Sequence, residues 1–164
     1  MGFRMGLLVR SLLLVVSAAL VGCDHASKAM AQQELGGGRI IELVSGVLDL
    51  RYTENHDVAF SMLRDVSIPH KSWVLGSVSG IVLLGTLVAW WRRRRAPWPE
   101  PIGYALVVAG AVGNVIDRFT RGFVVDFIHL KHWPVFNVAD VVIVVGIFVL
   151  GISATRQRVR RAEA

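Results

Sequence analysis

A single cysteine, Cys23, excludes an intrachain disulfide and leaves the redox compartment open. Other common hydrolase signatures are missing too. No Gly-x-Ser-x-Gly elbow or Ser-x-x-Lys occurs, so serine chemistry has no support. The five histidines, His25, His56, His70, His129 and His132, do not form His-Glu-x-x-His. His129 and His132 stand three apart with no third ligand evident, so no metal is expected. Charge is scarce, at 18% of residues. The net +6 arises from basic residues clustered beside apolar blocks, which favours a role in membrane topology over nucleic-acid binding.

Apolar sequence is what the chain has in quantity. Hydrophobic residues make up 54% of it and the mean hydropathy is +0.54, in blocks long enough to enter a bilayer. A length of 164 residues fits one domain. The expected fold is a membrane all-α domain, 1–164, with four transmembrane helices over about 5–23, 73–91, 101–116 and 138–154.

The first apolar segment contains Arg10, close enough to its end to snorkel toward headgroups. Counted from Ser11 it is only 13 residues, the length of a signal-peptide core. Leu20-Val21-Gly22-Cys23 has the form of a lipobox, the cleavage site of a bacterial lipoprotein. The later apolar segments and the Asp24/Lys28 pair argue instead for a retained first helix. Residues 24–71 read as a polar interlude in which Gly36-Gly37-Gly38 breaks any continuing helix. A small extracytoplasmic β-sheet is expected over about 39–60, lying on the membrane surface. Arg39–Val44 would pair with Val47–Thr53 across Ser45-Gly46, with Leu48, Leu50 and Tyr52 on one face.

The second span carries Trp73 at one end and Trp90 and Trp91 at the other, as interfacial aromatics do, with Gly76 and Gly80 as a small-residue pair for close packing. Ala105, Ala109 and Gly113 form a smooth ridge on the third. Arg4, Arg10, Arg92 to Arg95, Arg156, Arg158, Arg160 and Arg161 gather on one side of a four-span chain. The positive-inside rule then puts both termini in the cytoplasm and loops 24–71 and 117–137 outside.

Residues 113–140 hold three carboxylates among apolar neighbours, Asp117, Asp126 and Asp140. A charge at membrane depth is costly unless paired or used, which makes each a functional candidate. Asn114, Asp117 and Arg118 share one helix face, so Arg118 can pair with Asp117 or with a neighbouring carboxylate. Asp126, on a short outer loop, has apolar neighbours that raise a carboxyl pKa by desolvation. Asn137 is placed to cap the fourth helix, putting Asp140 at its third position, where the helix N-terminus favours the ionised form. Taken singly, Asp140 reads as a capping carboxylate. Two acids whose environments diverge in this way make an acid/base pair able to share a proton around one water. Asp24 and Lys28 are an i, i+4 ion pair at the end of the first span. Viewed alone, they read as a solvated helix end.

Together these pieces resemble the prolipoprotein signal peptidase family, also called signal peptidase II. Asp24-His25-Ala26-Ser27-Lys28 fits its Asp-x-x-x-Lys motif, and Asn55-His56-Asp57-Val58-Ala59-Phe60 is similar to its Asn-x-Gly-x-Ala-Phe. Gly113-Asn114-Val115-Ile116-Asp117-Arg118 is similar to Gly-Asn-x-x-Asp-Arg. Val124-Val125-Asp126-Phe127 and Phe136-Asn137-Val138-Ala139-Asp140 match its two catalytic motifs. Asp57 departs from the motif's Gly, and Ala109 stands where Gly is common.

The resemblance implies an aspartyl endopeptidase of the bacterial cytoplasmic membrane, with its dyad at Asp126 and Asp140 and its site at the outer face. Its substrates would be diacylglyceryl-modified prolipoproteins, cut before the lipidated Cys. No cofactor, no metal and no nucleic acid is expected; the partners would be substrate and membrane lipids, and the protein a monomer. By the same likeness Asn55, Asn114, Arg118 and Asn137 hold substrate backbone or orient the dyad, Asp24 and Lys28 buttress it, and Asp117 belongs to the supporting set. The competing reading is a non-enzymatic four-helix adaptor or carrier whose acids line a polar seam.

Overall fold

The computed structural model describes residues 7–56, 71–93 and 96–163. Asp57 to Phe60 of the second motif, His70, Arg4, Arg94 and Arg95 lie outside them. Four helices are long and apolar enough to cross a membrane, α1 (Leu7–Leu35), α2 (Lys71–Arg92), α3 (Glu100–Thr120) and α4 (Val138–Ala162). Three strands, β1 (Ile41–Val44), β2 (Leu48–Asn55) and β3 (Val124–Leu130), form one antiparallel sheet in that order.

The first helix runs twelve residues beyond Cys23, through what the sequence suggested was the start of a polar interlude. Asp24 and Lys28 neutralise each other one turn apart, and Ala26, Ala29 and Ala31 are strong helix formers, so nothing stops the helix before the glycines. It ends where expected. Gly36 N–H donates to Gln32 O at 3.1 Å, and Gly38 takes a φ of 84° that a side chain would resist. At 29 residues α1 is about 44 Å long. That exceeds a hydrocarbon core of about 30 Å, so its last turns can project to the sheet.

The β1–β2 hairpin forms with Ile41 opposite Leu50. Leu50 and Tyr52 pack with Ile41, Ile128 and Val138 around Ala31, Leu35 and Phe127, so the apolar face predicted for β2 seals the sheet onto α1. The third strand replaces the outer loop expected around Asp126. Val124-Val125-Asp126-Phe127-Ile128 is rich in β-branched and aromatic residues, and β2 offers it a free edge. Thr53 faces Asp126 across that ladder and Asn55 faces Val124.

Helix α3 is the hub, packed against α1, α2 and α4. Ala105 and Ala109 of the expected ridge are buried. Glycine is required at two places beside them. A Cβ on Gly110 would overlap the carbonyl oxygen of Ala139, and one on Gly113 would sit 2.6 Å from Asp24 Oδ2. These glycines let α4 and the Asp24 side chain close on α3. The Gly76/Gly80 pair behaves otherwise. Gly76 faces Arg118 and Phe119, but Gly80 has nothing within 4 Å of where a side chain would begin. Trp73 and Phe119 supply the contact there, ring centroids 5.8 Å apart.

Candidate active site

Five elements bring the nine candidate residues into one connected web at the sheet end of the bundle. Helix α1 supplies Asp24 and Lys28, β2 supplies Asn55, α3 supplies Asn114, Asp117 and Arg118, and β3 supplies Asp126. Asn137 and Asp140 come from the head of α4.

The α4 head is held by contacts local in sequence. Asn137 is the N-cap, its Oδ1 accepting from Asp140 N–H at 3.0 Å, while Asp140 Oδ2 accepts from Asn137 N–H at 3.2 Å. This reciprocal box satisfies two helix-end donors and fixes both side chains. It leaves the Asn137 amide N–H2 directed away from the helix. That group donates to Asp126 Oδ1 at 2.7 Å and to Asn114 Oδ1 at 3.1 Å. Asn114 in turn donates to Asp140 Oδ1 at 2.8 Å, and Asn55 donates to Asp126 Oδ2 at 2.7 Å. Asp126 and Asp140 are therefore joined through two amides, and each of their four oxygens accepts one N–H from the protein.

Beneath this pair lies a buried ion cluster. Lys28 has no exposed surface; its ammonium is 2.7 Å from Asp24 Oδ2 and 2.9 Å from Asp117 Oδ2, and donates to Asn114 Oδ1 at 3.1 Å. An ammonium only donates, so the Asn114 oxygen must face it and the Asn114 N–H2 must face Asp140. Asp24 Oδ1 also accepts from Ala139 N–H at 2.9 Å, which ties α1 to the first turn of α4. The solvated helix end suggested for Asp24 and Lys28 alone is thus a core feature, closed over by α3 and α4. Arg118 Nη1 reaches its own helix at Asn114 O, 3.4 Å away. The partners of Asp117 are Lys28, Arg121 at 3.3 Å and His25 at 3.7 Å. Arg121 and His25 were not singled out in the sequence, although the i, i+4 spacing of Asp117 and Arg121 is a legible signal.

Asp126 is 2% exposed, and its carboxyl is pushed up to about 7. Burial is the main cause and the nearby Asp140 charge the second; the hydrogen bonds from Asn55 and Asn137 oppose both. Asp49, on β2, behaves in the opposite way. Arg51, bonded to it at 2.7 Å through two nitrogens, and then His129 hold it well below the carboxylate range. His129 Nδ1 lies 2.9 Å from Asp49 Oδ2, and His132 sits beyond the end of β3 at a φ of 65°. Among the described residues no group of three or more His, Cys, Asp or Glu is arranged to hold a metal ion.

A buried acid and a half-buried one joined by neutral amides, the first carrying a proton near neutrality, can act on a water and a carbonyl together. Known proteins bear on which reaction this serves. Residues 16–156 match the family model of signal peptidase (SPase) II. A lipoprotein signal peptidase of Pelotomaculum thermopropionicum is 37% identical over 138 residues, 84% of this chain and 88% of that protein. One of Dichelobacter nodosus is 34% identical over 153 residues, 91% of this chain and 97% of that protein. In fold, the chain is similar to a bacterial membrane enzyme solved by the in meso method at 2.3 Å, with a TM-score of 0.79 and 22% identity across 96% of this chain and 94% of that one. The chain belongs to the signal peptidase II family, as a membrane protein with four apolar helices and a small antiparallel sheet.

Proposed function

We propose that this chain removes signal peptides from diacylglyceryl-modified prolipoproteins, cutting before the lipidated cysteine, and that it does so as an aspartic peptidase with Asp126 and Asp140 as the catalytic pair. Membership of the signal peptidase II family supports the peptidase activity, and the relatives' name, lipoprotein signal peptidase, supports the substrate class. The observation that carries the catalytic assignment is the amide bridge, in which Asn137 and Asn114 hold both carboxylates by N–H donors.

The pair shares one proton. The ionised oxygen draws a proton from water as the water attacks the scissile carbonyl, and the protonated one donates to the carbonyl oxygen. Collapse of the tetrahedral species returns a proton to the leaving amine and restores the pair. Asn114, Asn137 and Asn55 keep every protein-facing lone pair of the dyad on an N–H donor, so the catalytic proton is left on a face free for water and substrate. Arg118, on α3 beside Asn114, is assigned to the peptide backbone.

The protein is assigned to the bacterial cytoplasmic membrane, with both termini inside and the site at the outer face. The arginines beside α2 and at the end of α4 support that orientation under the positive-inside rule. A site at the lipid–water boundary suits a substrate anchored by acyl chains and delivered in the membrane plane.

The test is cleavage of a lipid-modified precursor by the purified full chain, with Asp126→Asn and Asp140→Asn alongside. Both variants are expected to insert and fold yet lose cleavage. Retained cleavage by either one removes the dyad assignment.

A further inference from the structure

The buried cluster under the dyad holds more acids than its one fully buried cation balances. Asp24 and Asp117 contribute two negative charges and Lys28 one positive, all three with at most 2% exposure. A buried net charge of that kind is strongly disfavoured unless a counter-ion reaches it. Arg121 does. It is the C-cap residue of α3, its backbone N–H donating to Asp117 O at 2.8 Å, and its side chain places Nε 3.3 Å from Asp117 Oδ1 while Nη1 donates to Gln32 Oε1 of α1 at 3.1 Å. Its 26% exposure leaves the guanidinium reaching in from the surface.

We infer that Arg121 is a positioning residue for the reaction, the counter-ion that neutralises Asp117 and so leaves Lys28 free to be shared with Asn114. Asp117 has two oxygens and divides them. Oδ2 takes Lys28 at 2.9 Å, along with a long contact of 3.5 Å from the N–H of Val125, the residue before Asp126. Oδ1 takes Arg121. Without the guanidinium, the full charge of Asp117 falls on Lys28 and draws the ammonium off Asn114. The bridging amide then loses the donor that fixes its direction. One uncompensated negative charge also appears two contacts from the dyad.

The other charged or titratable groups around Asp117 and Arg121 do not replace that cation. Asp24 and Lys28 of α1 are already paired with each other, and His25 of α1 stands 3.7 Å from Asp117 Oδ1. Arg118 of α3 reaches the Asn114 carbonyl, and its charge acts on Asp140 and Asp126 ahead of Asp117, so it serves the dyad first. Tyr52 of β2 lies within electrostatic reach of both Asp117 and Arg121, but its hydroxyl donates to Glu54. On β3 the nearest contact to Asp117 is the Val125 backbone N–H, which carries no charge.

This inference rests on the aspartic-dyad reading and is tested so that the two can fail separately. The full chain in lipid is assayed on a lipid-modified precursor across pH as wild type, Arg121→Met, Arg121→Lys, Gln32→Leu and Asp126→Asn. Arg121→Met is expected to lower kcat about 3- to 10-fold with little change in KM, because the dyad is misoriented while substrate contacts are intact. Its alkaline limb should move up by about half a pH unit or more, since an added negative charge favours the protonated pair. Arg121→Lys should restore the limb; Gln32→Leu, which keeps the charge, should leave it in place. A wild-type limb in Arg121→Met, or no recovery in Arg121→Lys, overturns the inference. Should Arg121→Met not fold, Arg121→Gln is judged by the same limb. If Asp126→Asn still cleaves, the dyad reading fails instead.

Discussion

Two ends of this bundle bury carboxylates, and they do so differently. At the far end Glu100, the first residue of α3, is 6% exposed. Gln157 of α4 donates to its Oε2 at 2.6 Å and Arg93 approaches Oε1 at 3.4 Å, while Gln157 also bonds Ser153. Among the described residues that acid meets one neutral donor and one half-exposed cation, and no second acid. At the sheet end two acids share neutral amides, with Arg118 and Lys28 within electrostatic reach of both. Burying a carboxylate is common to both. What sets the sheet end apart is a second acid beside the first, which adds like-charge repulsion to burial and favours a shared proton.

The sharpest way to break this comparison is to remove an acid from each end. Asp126→Asn or Asp140→Asn is expected to reduce cleavage of a lipid-modified precursor by about a thousandfold or more, since each removes one half of the acid/base pair. Next in size is the ion cluster. Lys28→Met leaves Asp24 and Asp117 buried without their shared cation. Breaking a buried pair from one side costs about 3–5 kcal/mol. Thermal melting in detergent should show a drop of many degrees, with activity lost alongside. A melting point near wild type would mean that Arg121 and bound water carry the cluster alone.

A third effect is smaller and pH-dependent. The Asp126 carboxyl is raised from its ordinary value to about 7, so the folded chain holds a proton there that the unfolded chain releases near pH 4. The stability this proton lends is fully present below that unfolded value and is lost as pH rises through about 7. Wild-type melting temperature should therefore decline between pH 5 and 8. Asp126→Asn, which cannot ionise, should flatten the decline. Cleavage should show an alkaline limb near pH 7 for the same reason. Equal slopes in wild type and variant would place the titration elsewhere.

How far the sequence reached varies with the range of the interaction involved. The capping box of Asn137 and Asp140 was legible because it spans three residues, and the α1 stop at Gly36 and the β1–β2 hairpin were legible for the same local reason. The extension of α1 past Cys23 was hidden, because polar residues there suggested solvent while their partners lie 86 or more positions away in α3 and α4. The third strand was hidden because it needs β2 as a neighbour. The family motif brought Asn55 to attention, while charge at membrane depth and helix spacing had already marked Asp117 and Asn114, but the direction of the Asn114 and Asn137 amides depends on Lys28 and on the α4 head. Arg121 stands outside those motifs; its i, i+4 spacing from Asp117 was legible, but its weight in the cluster follows from the three-dimensional charge balance.

The last prediction concerns the end of the bundle without a second acid. Glu100→Gln removes the charge but keeps an oxygen to accept from Gln157 and a shape close to the original. The approach of Arg93, itself 55% exposed, is solvent-screened and contributes about 0–1 kcal/mol. Melting temperature should shift by a few degrees at most, and both kcat and the alkaline limb should match wild type. The same Glu→Gln chemistry that is nearly silent here has its counterpart in the Asp→Asn changes that abolish cleavage at the other end. If Glu100→Gln moves the pH limb, the two ends are electrostatically coupled through α3, and the separation drawn between a structural acid and a catalytic pair fails.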